Sequence, residues 1–176
     1  LCIETGVAGL SIEDATGDDA RPLYPRADAI ERVKAARRAI DASGSGVLLT
    51  ARCEAYLVDQ PDPFRTALDR LSAFAAAGAD CLFAPGVSDP DEIRAMVQAV
   101  APKPVNVLVS APSPSLNLGS LAALGVRRVS VGAALARVAW GAFMRAAQSI
   151  AATGTFDALA GAARFDELNA IFHERT

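Results

Sequence analysis

Five short apolar runs punctuate this chain, and between them apolar residues recur at helical spacing. VAGLSIE (7–13), GVLLTARCEA (46–55), CLFAPGV (81–87), VNVLVS (105–110) and RRVSVG (127–132) have strand length and carry β-branched residues. Several are apolar almost without a break, as strands covered on both faces are. The first stretch between them, 26–44, sets Ala29, Ile30, Val33, Ala36 and Ile40 on one helical face and closes at Gly44. The second, 63–80, follows Asp62, a helix-capping residue type, with Pro63 at the first helical position. Residues 88–100 open with Ser88 and Asp89 as capping candidates. A shorter helix is predicted within 113–125, a long Ala-rich one from 133 to 153, and one or two short helices over 155–175.

Alternation this regular implies parallel strands joined by right-handed crossovers. Gly6, Gly78 and Gly125 stand where a helix must close and a strand open, positions that favour a left-handed residue. Five βα units are too few to close a (β/α)8 barrel, which takes about 250 residues. By count alone, an open, doubly wound five-stranded sheet fits as well. The chain begins at Leu1 in what reads as a helix end, without Met, and is expected to continue a longer polypeptide. Five barrel strands alone would leave two edges and a large apolar face exposed.

Composition narrows the picture modestly. The 176 residues suit one domain, and in the 52% apolar share Ala is the commonest residue and aromatics are few, so the core is expected to be built mostly from small aliphatic side chains. Net charge is −3, and Arg32, Lys34, Arg37 and Arg38 are interleaved with acidic and apolar positions, so no nucleic-acid partner is expected. No apolar run reaches membrane-spanning length and no signal-peptide pattern is present, so no membrane partner is expected and the expected location is the cytoplasm. Cys2, Cys53 and Cys81 form no CxxC pair and have no neighbouring His, and read as reduced, mostly buried small hydrophobes. The only histidine, His173, reads as a surface residue.

In parallel α/β folds, functional groups gather at the carboxyl ends of the strands. Here those ends carry Glu13 and Asp14, then Arg52 and Glu54, then Asn106 to Ser110. A carboxylate is a hard oxygen ligand suited to Mg²⁺, which commonly takes one or two carboxylates and several waters. The planar fork of Arg52 suits a carboxylate or phosphoryl group. The combination points to a small anionic substrate held against a divalent metal at Glu13. The same residues also fit structural roles, with Glu13 and Asp14 capping a loop and Arg52 paired to Glu54. Asn106, inside an apolar strand, either bonds backbone or reaches a substrate. Asp18, Asp19 and Arg21 lie in a polar loop that either is plain surface or closes over a ligand. There is no Gly-rich phosphate loop.

GVAGLSIEDATGDDARPLYP, LLTARCEAYL, AGADCLFAPGV, KPVNVL and LGVRRVSVG, in that order and spacing, resemble the isocitrate lyase/phosphoenolpyruvate mutase superfamily from Gly6 to about residue 150. The "IED" and "AR-x-EA" pieces are the more specific ones. The resemblance implies a (β/α)8 TIM barrel whose fourth to eighth units occupy residues 1–153, followed by a helical tail at 154–176. It implies Mg²⁺ dependence, and chemistry that makes or breaks a C–C or P–C bond of a small 2-oxo acid or phosphonate through an enolate-like intermediate. By the same resemblance, Glu13 matches the metal-site glutamate, acting through a metal-bound water. Arg52 matches the arginine that holds the substrate's anionic group, and Glu54 matches the acidic residue that completes that strand motif, so both are catalytic candidates. The stretch from Ala15 to Pro25, with Asp18, Asp19 and Arg21, matches a gating loop. Superfamily members are commonly homotetramers that exchange C-terminal helices, so a homo-oligomer is expected.

The departures sharpen the reading. Superfamily lyases that cleave isocitrate or methylisocitrate carry a Lys/Arg-Cys-Gly-His motif in the loop after the IED strand. Here that loop reads ATGDDARPLYPR, without Cys or His, which argues against isocitrate lyase itself and toward a phosphonomutase-like (carboxyphosphonoenolpyruvate phosphonomutase-like) branch. A non-catalytic oxo-acid-binding protein of the same fold is the alternative. The superfamily's more direct metal ligands, aspartates in an Asp-x-Asp arrangement, would precede Leu1.

Overall fold

In a computed structural model that describes residues 1–58 and 60–173, the five apolar runs form five parallel strands. They are β1 (Gly9–Glu13), β2 (Leu48–Arg52), β3 (Cys81–Phe83), β4 (Val105–Leu108) and β5 (Arg128–Ser130). Each is shorter than its apolar run, because the flanking residues turn into loops. The helices that follow the first four are α1 (Arg26–Ser43), α2 (Pro63–Ala76), α3 (Pro90–Val100) and α4 (Leu118–Ala123). The cap expected at Asp62 forms, with its side chain accepting the Arg65 amide at 3.0 Å. Of the two candidates before α3, Asp89 caps it, accepting the Asp91 and Glu92 amides. Asn117 and Ser120 cap α4 reciprocally, which is why this helix starts later than its apolar pattern.

Strand order is β1-β2-β3-β4-β5 without reversal. A doubly wound open sheet reverses its order at a switch point and carries helices on both faces. Neither holds here. Ala29, Val33 and Ile40 of α1, Leu71 and Phe74 of α2, Ile93 and Met96 of α3, and Leu121 of α4 share one core with Leu49, Ala51, Leu82, Val105 and Val107 of the strands. Alternate strand residues therefore point to the helices, as a two-residue period requires. The arrangement is that of five consecutive units of a (β/α)8 barrel wall.

The residues between them point to the other face, which is less apolar than expected. Register places Glu13, Arg52, Phe83, Asn106 and Arg128 in one row across all five strands. Ser11 and Thr50 pair one step below, and Leu48 is an exposed apolar side chain on this face. The face carries charged and hydrogen-bonding groups because it is the one on which the candidate site is built.

Residues Leu1–Gly132 form one compact unit and Ala133–Thr176 a second. The sequence-based division after residue 153 therefore falls inside the second unit. That unit comprises α5 (Ala134–Thr153), a 3₁₀ turn at Asp157–Gly161 and α6 (Phe165–His173). Trp140 and Phe143 of α5 meet edge to face, with ring centroids 5.5 Å apart. Residues 174–176 of the expected tail lie outside the described residues. Among the described residues, no helix is long and apolar enough to cross a membrane.

One glycine holds the loop after β3 against the loop after β2. Gly86 has φ +98°, and a Cβ there would lie 2.7 Å from Tyr56 Cβ. Tyr56 is in turn fixed by its hydroxyl, which donates to Glu92 of α3 at 2.8 Å. Gly86→Ala combines a strained backbone with an overlap and is expected to cost about 1–3 kcal/mol, read as a lower denaturant midpoint at unchanged slope.

Candidate active site at the strand ends

Glu13 and Arg52 end neighbouring strands as register partners, so both side chains leave the sheet on the same face. Arg52 Nη1 lies 2.6 Å from Glu13 Oε1, and its Nε donates to Glu54 Oε1 at 2.8 Å. The guanidinium carbon sits 5.1 Å from the centroid of the Phe83 ring on β3. Arg52 is thus fixed by two carboxylates and an aromatic face, and its remaining donors are those an anionic group would meet. Glu54 is 5% exposed, and burial, its largest influence, raises its carboxyl above the ordinary range. Arg52 opposes that rise, while the charges of Glu13 and Asp14 add to it.

Asp14 faces inward, with 2% exposure, and is more than a loop cap. Its Oδ1 accepts the Glu54 amide at 2.8 Å and its Oδ2 accepts Arg70 Nη1 at 3.0 Å. Arg70, from α2, also donates Nη2 to the Tyr24 carbonyl at 2.8 Å. Sequence reasoning missed Arg70, yet a signal was present. It stands on the apolar stripe of Ala67, Leu71 and Phe74, where a charge requires a buried partner.

The segment expected to gate the site is a small hairpin. Ala15 bridges Leu23, Thr16 N donates to the Pro22 carbonyl at 2.9 Å, and Tyr24 N donates to the Asp14 carbonyl at 2.9 Å. Asp18 accepts the Ala20 amide and pairs with Arg21 at 3.3 Å, and Asp18, Asp19 and Arg21 are all exposed. Asn106 requires a correction, because its amide is not satisfied by backbone. Its Nδ2 donates to Ser130 Oγ at 2.9 Å and its Oδ1 accepts Arg128 Nε at 3.0 Å, since β5 side chains of the same face reach it before any backbone group does. A substrate contact at Asn106 would have to displace one of these.

Residues 1–151 match the phosphoenolpyruvate phosphomutase family. The chain belongs to this family. Among solved structures, a candidate lyase/mutase from Burkholderia cenocepacia J2315 is 47% identical, with a TM-score of 0.90 over 97% of this chain and 60% of its own. A candidate phosphonomutase from the same organism is 33% identical, with a TM-score of 0.72 over 84% of this chain and 61% of its own. An uncharacterized protein of Mycobacterium tuberculosis is 33% identical over 129 residues, which is 73% of this chain and 46% of that protein. The chain therefore spans about half to three fifths of the length of these relatives.

For a phosphoenolpyruvate mutase family member, the metal question turns on the donor set. Glu13 is a half-exposed carboxylate at the strand end, which fits contact with Mg²⁺ through a retained water. Among the described residues, no three His, Cys, Asp or Glu side chains converge to hold a metal by themselves. Cys2 is exposed, and the other two thiols are poorly disposed to ligate. Cys53 and Cys81 are buried, and burial pushes both upward, with the Asp14 charge adding to the effect at Cys53. Both are expected to resist alkylation by iodoacetamide at pH 8 in the native protein and to react once it is unfolded.

Glu54 gives a pH-dependent prediction. A carboxyl raised in the folded state stabilises most below its unfolded pKa, and that contribution fades as pH rises through the folded value. Relative to wild type, Glu54→Gln is expected to gain stability as pH climbs from about 4 to 7. Thermal unfolding at several pH values checks the trend, and a variant that loses stability relative to wild type over that range contradicts it.

Proposed function

We propose that the complete protein is a Mg²⁺-dependent lyase or mutase acting on a small 2-oxo acid or phosphonate. The observation that carries the reading is Arg52, fixed between Glu13 and Glu54 at the strand ends of a phosphoenolpyruvate mutase family chain. Likeness to a candidate lyase/mutase and a candidate phosphonomutase supports it. Arg52 binds and orients the anionic group of the substrate with the free part of its fork. Glu54, raised by burial and within hydrogen-bond reach of Arg52, holds or releases a proton beside that group. Glu13 is the residue that would hold Mg²⁺, and the metal would supply Lewis-acid polarisation of the oxo group. The loop after β1 holds neither Cys nor His, which separates this reading from isocitrate cleavage.

That same loop favours one second reading, an oxo-acid-binding protein without turnover. Full-length protein incubated with Mg²⁺ and either oxaloacetate or phosphonopyruvate separates the two, since only the enzyme consumes substrate. Arg52→Ala is expected to lower kcat/KM by about a hundredfold or more, because a preorganised charge contact is lost. Undiminished turnover in this variant would overturn the role given to Arg52. Calorimetry showing tight oxalate binding without turnover of any substrate would favour the binding protein.

A further inference from the structure

We propose that Arg70, on an outer helix, is a positioning residue that sets both the roots of the 15–25 hairpin and the backbone of Glu54. The fork of Arg70 makes two bonds at once, Nη1 to Asp14 Oδ2 at 3.0 Å and Nη2 to the Tyr24 carbonyl at 2.8 Å. Asp14 and Tyr24 stand at the two feet of the hairpin and are also joined through the Tyr24 amide and the Asp14 carbonyl. One planar cation therefore spans both feet of the segment. Through Asp14 it reaches further, because Asp14 Oδ1 accepts the amide of Glu54 at 2.8 Å. The peptide at the end of β2 is held in place, and the Glu54 carboxylate meets Arg52 Nε.

The chemistry is specific to a guanidinium. Lysine offers a compact point charge, which can meet Asp14 or the Tyr24 carbonyl but lacks the fixed fork that meets both. Arg70 is 9% exposed and lines a hollow of about 690 Å³ with Thr16, Leu23, Tyr24 and Asp28. A small planar cation from solution can enter there when the side chain is removed. The effect on Glu54 rests on the catalytic reading above, whereas the effect on the hairpin does not.

The test uses full-length protein carrying Arg70→Ala or Arg70→Lys, with amide hydrogen exchange over 14–25 and 52–57 read beside turnover. Arg70→Ala is expected to exchange the Tyr24 and Glu54 amides about tenfold faster or more. Its kcat is expected to fall about tenfold or more, with KM held within about threefold. Guanidinium chloride at about 10 mM is expected to restore both, far below denaturing concentration, and Arg70→Lys to behave like the alanine variant. Unchanged exchange in Arg70→Ala overturns the proposal, as does full function in Arg70→Lys. Should Arg70→Ala fail to fold, the lysine variant carries the same two readouts. Faster, guanidinium-rescued exchange in a protein that turns over no oxo acid supports the hairpin role and overturns the catalytic reading instead.

Discussion

A carboxylate taken out of water must be met by donors, and Asp14 is the place where this chain faces that requirement. It sits one residue beyond β1, just where the polypeptide leaves the sheet. With 2% exposure it is held by Arg70 on one oxygen and the Glu54 amide on the other. The end of β1, the end of β2, the hairpin root and α2 are therefore fixed relative to one another by a single side chain. Glu13 and Arg52, the neighbours on the opposite face, inherit their placement from it. Breaking one partner of such a pair leaves an uncompensated buried charge, so the arrangement tolerates little partial loss.

Strand alternation then divides the labour. Leu49, Ala51, Leu82, Val105 and Val107 close the core against the helices, while the residues between them present Arg52, Phe83 and Asn106 to the opposite face. The same two-residue period that makes the core also makes the row of polar groups. A one-residue slip of β2 would exchange Arg52 for Ala51 on that face, so the register that builds the core also sets which groups the candidate site holds.

Much of this was legible in the sequence, for local reasons. Asp62 followed by Pro63, and the glycines after the helices, signal helix ends through backbone chemistry that acts within a few residues. The pairing of Glu13 with Arg52 was readable as proximity of two strand ends, although not as a contact of 2.6 Å. What escaped depends on tertiary partners. Arg70 and Asp14 lie 56 residues apart, and only folding shows that the charge on α2 has its match after β1. Asn106 failed for the same reason, since its partners Ser130 and Arg128 belong to β5 and no short-range pattern names them. The strand order that rules out a doubly wound sheet is likewise a property of assembly, because both folds share the same alternation of elements.

The charges around Arg52 bear on the proposed reading, in which a metal and an anion would meet at this site. Two carboxylates, Glu13 and Glu54, share one guanidinium, so the trio carries an excess of negative charge when both are ionised. An anionic substrate arriving alone would add to that excess, and Arg52 would have to loosen from its partners to receive it. Two changes relieve the excess: a proton on Glu54, which burial already favours, or a divalent cation beside Glu13. Either one frees part of the Arg52 fork for the incoming group. On the proposed reading, cation and anion would improve each other's affinity by the same factor, as linkage requires.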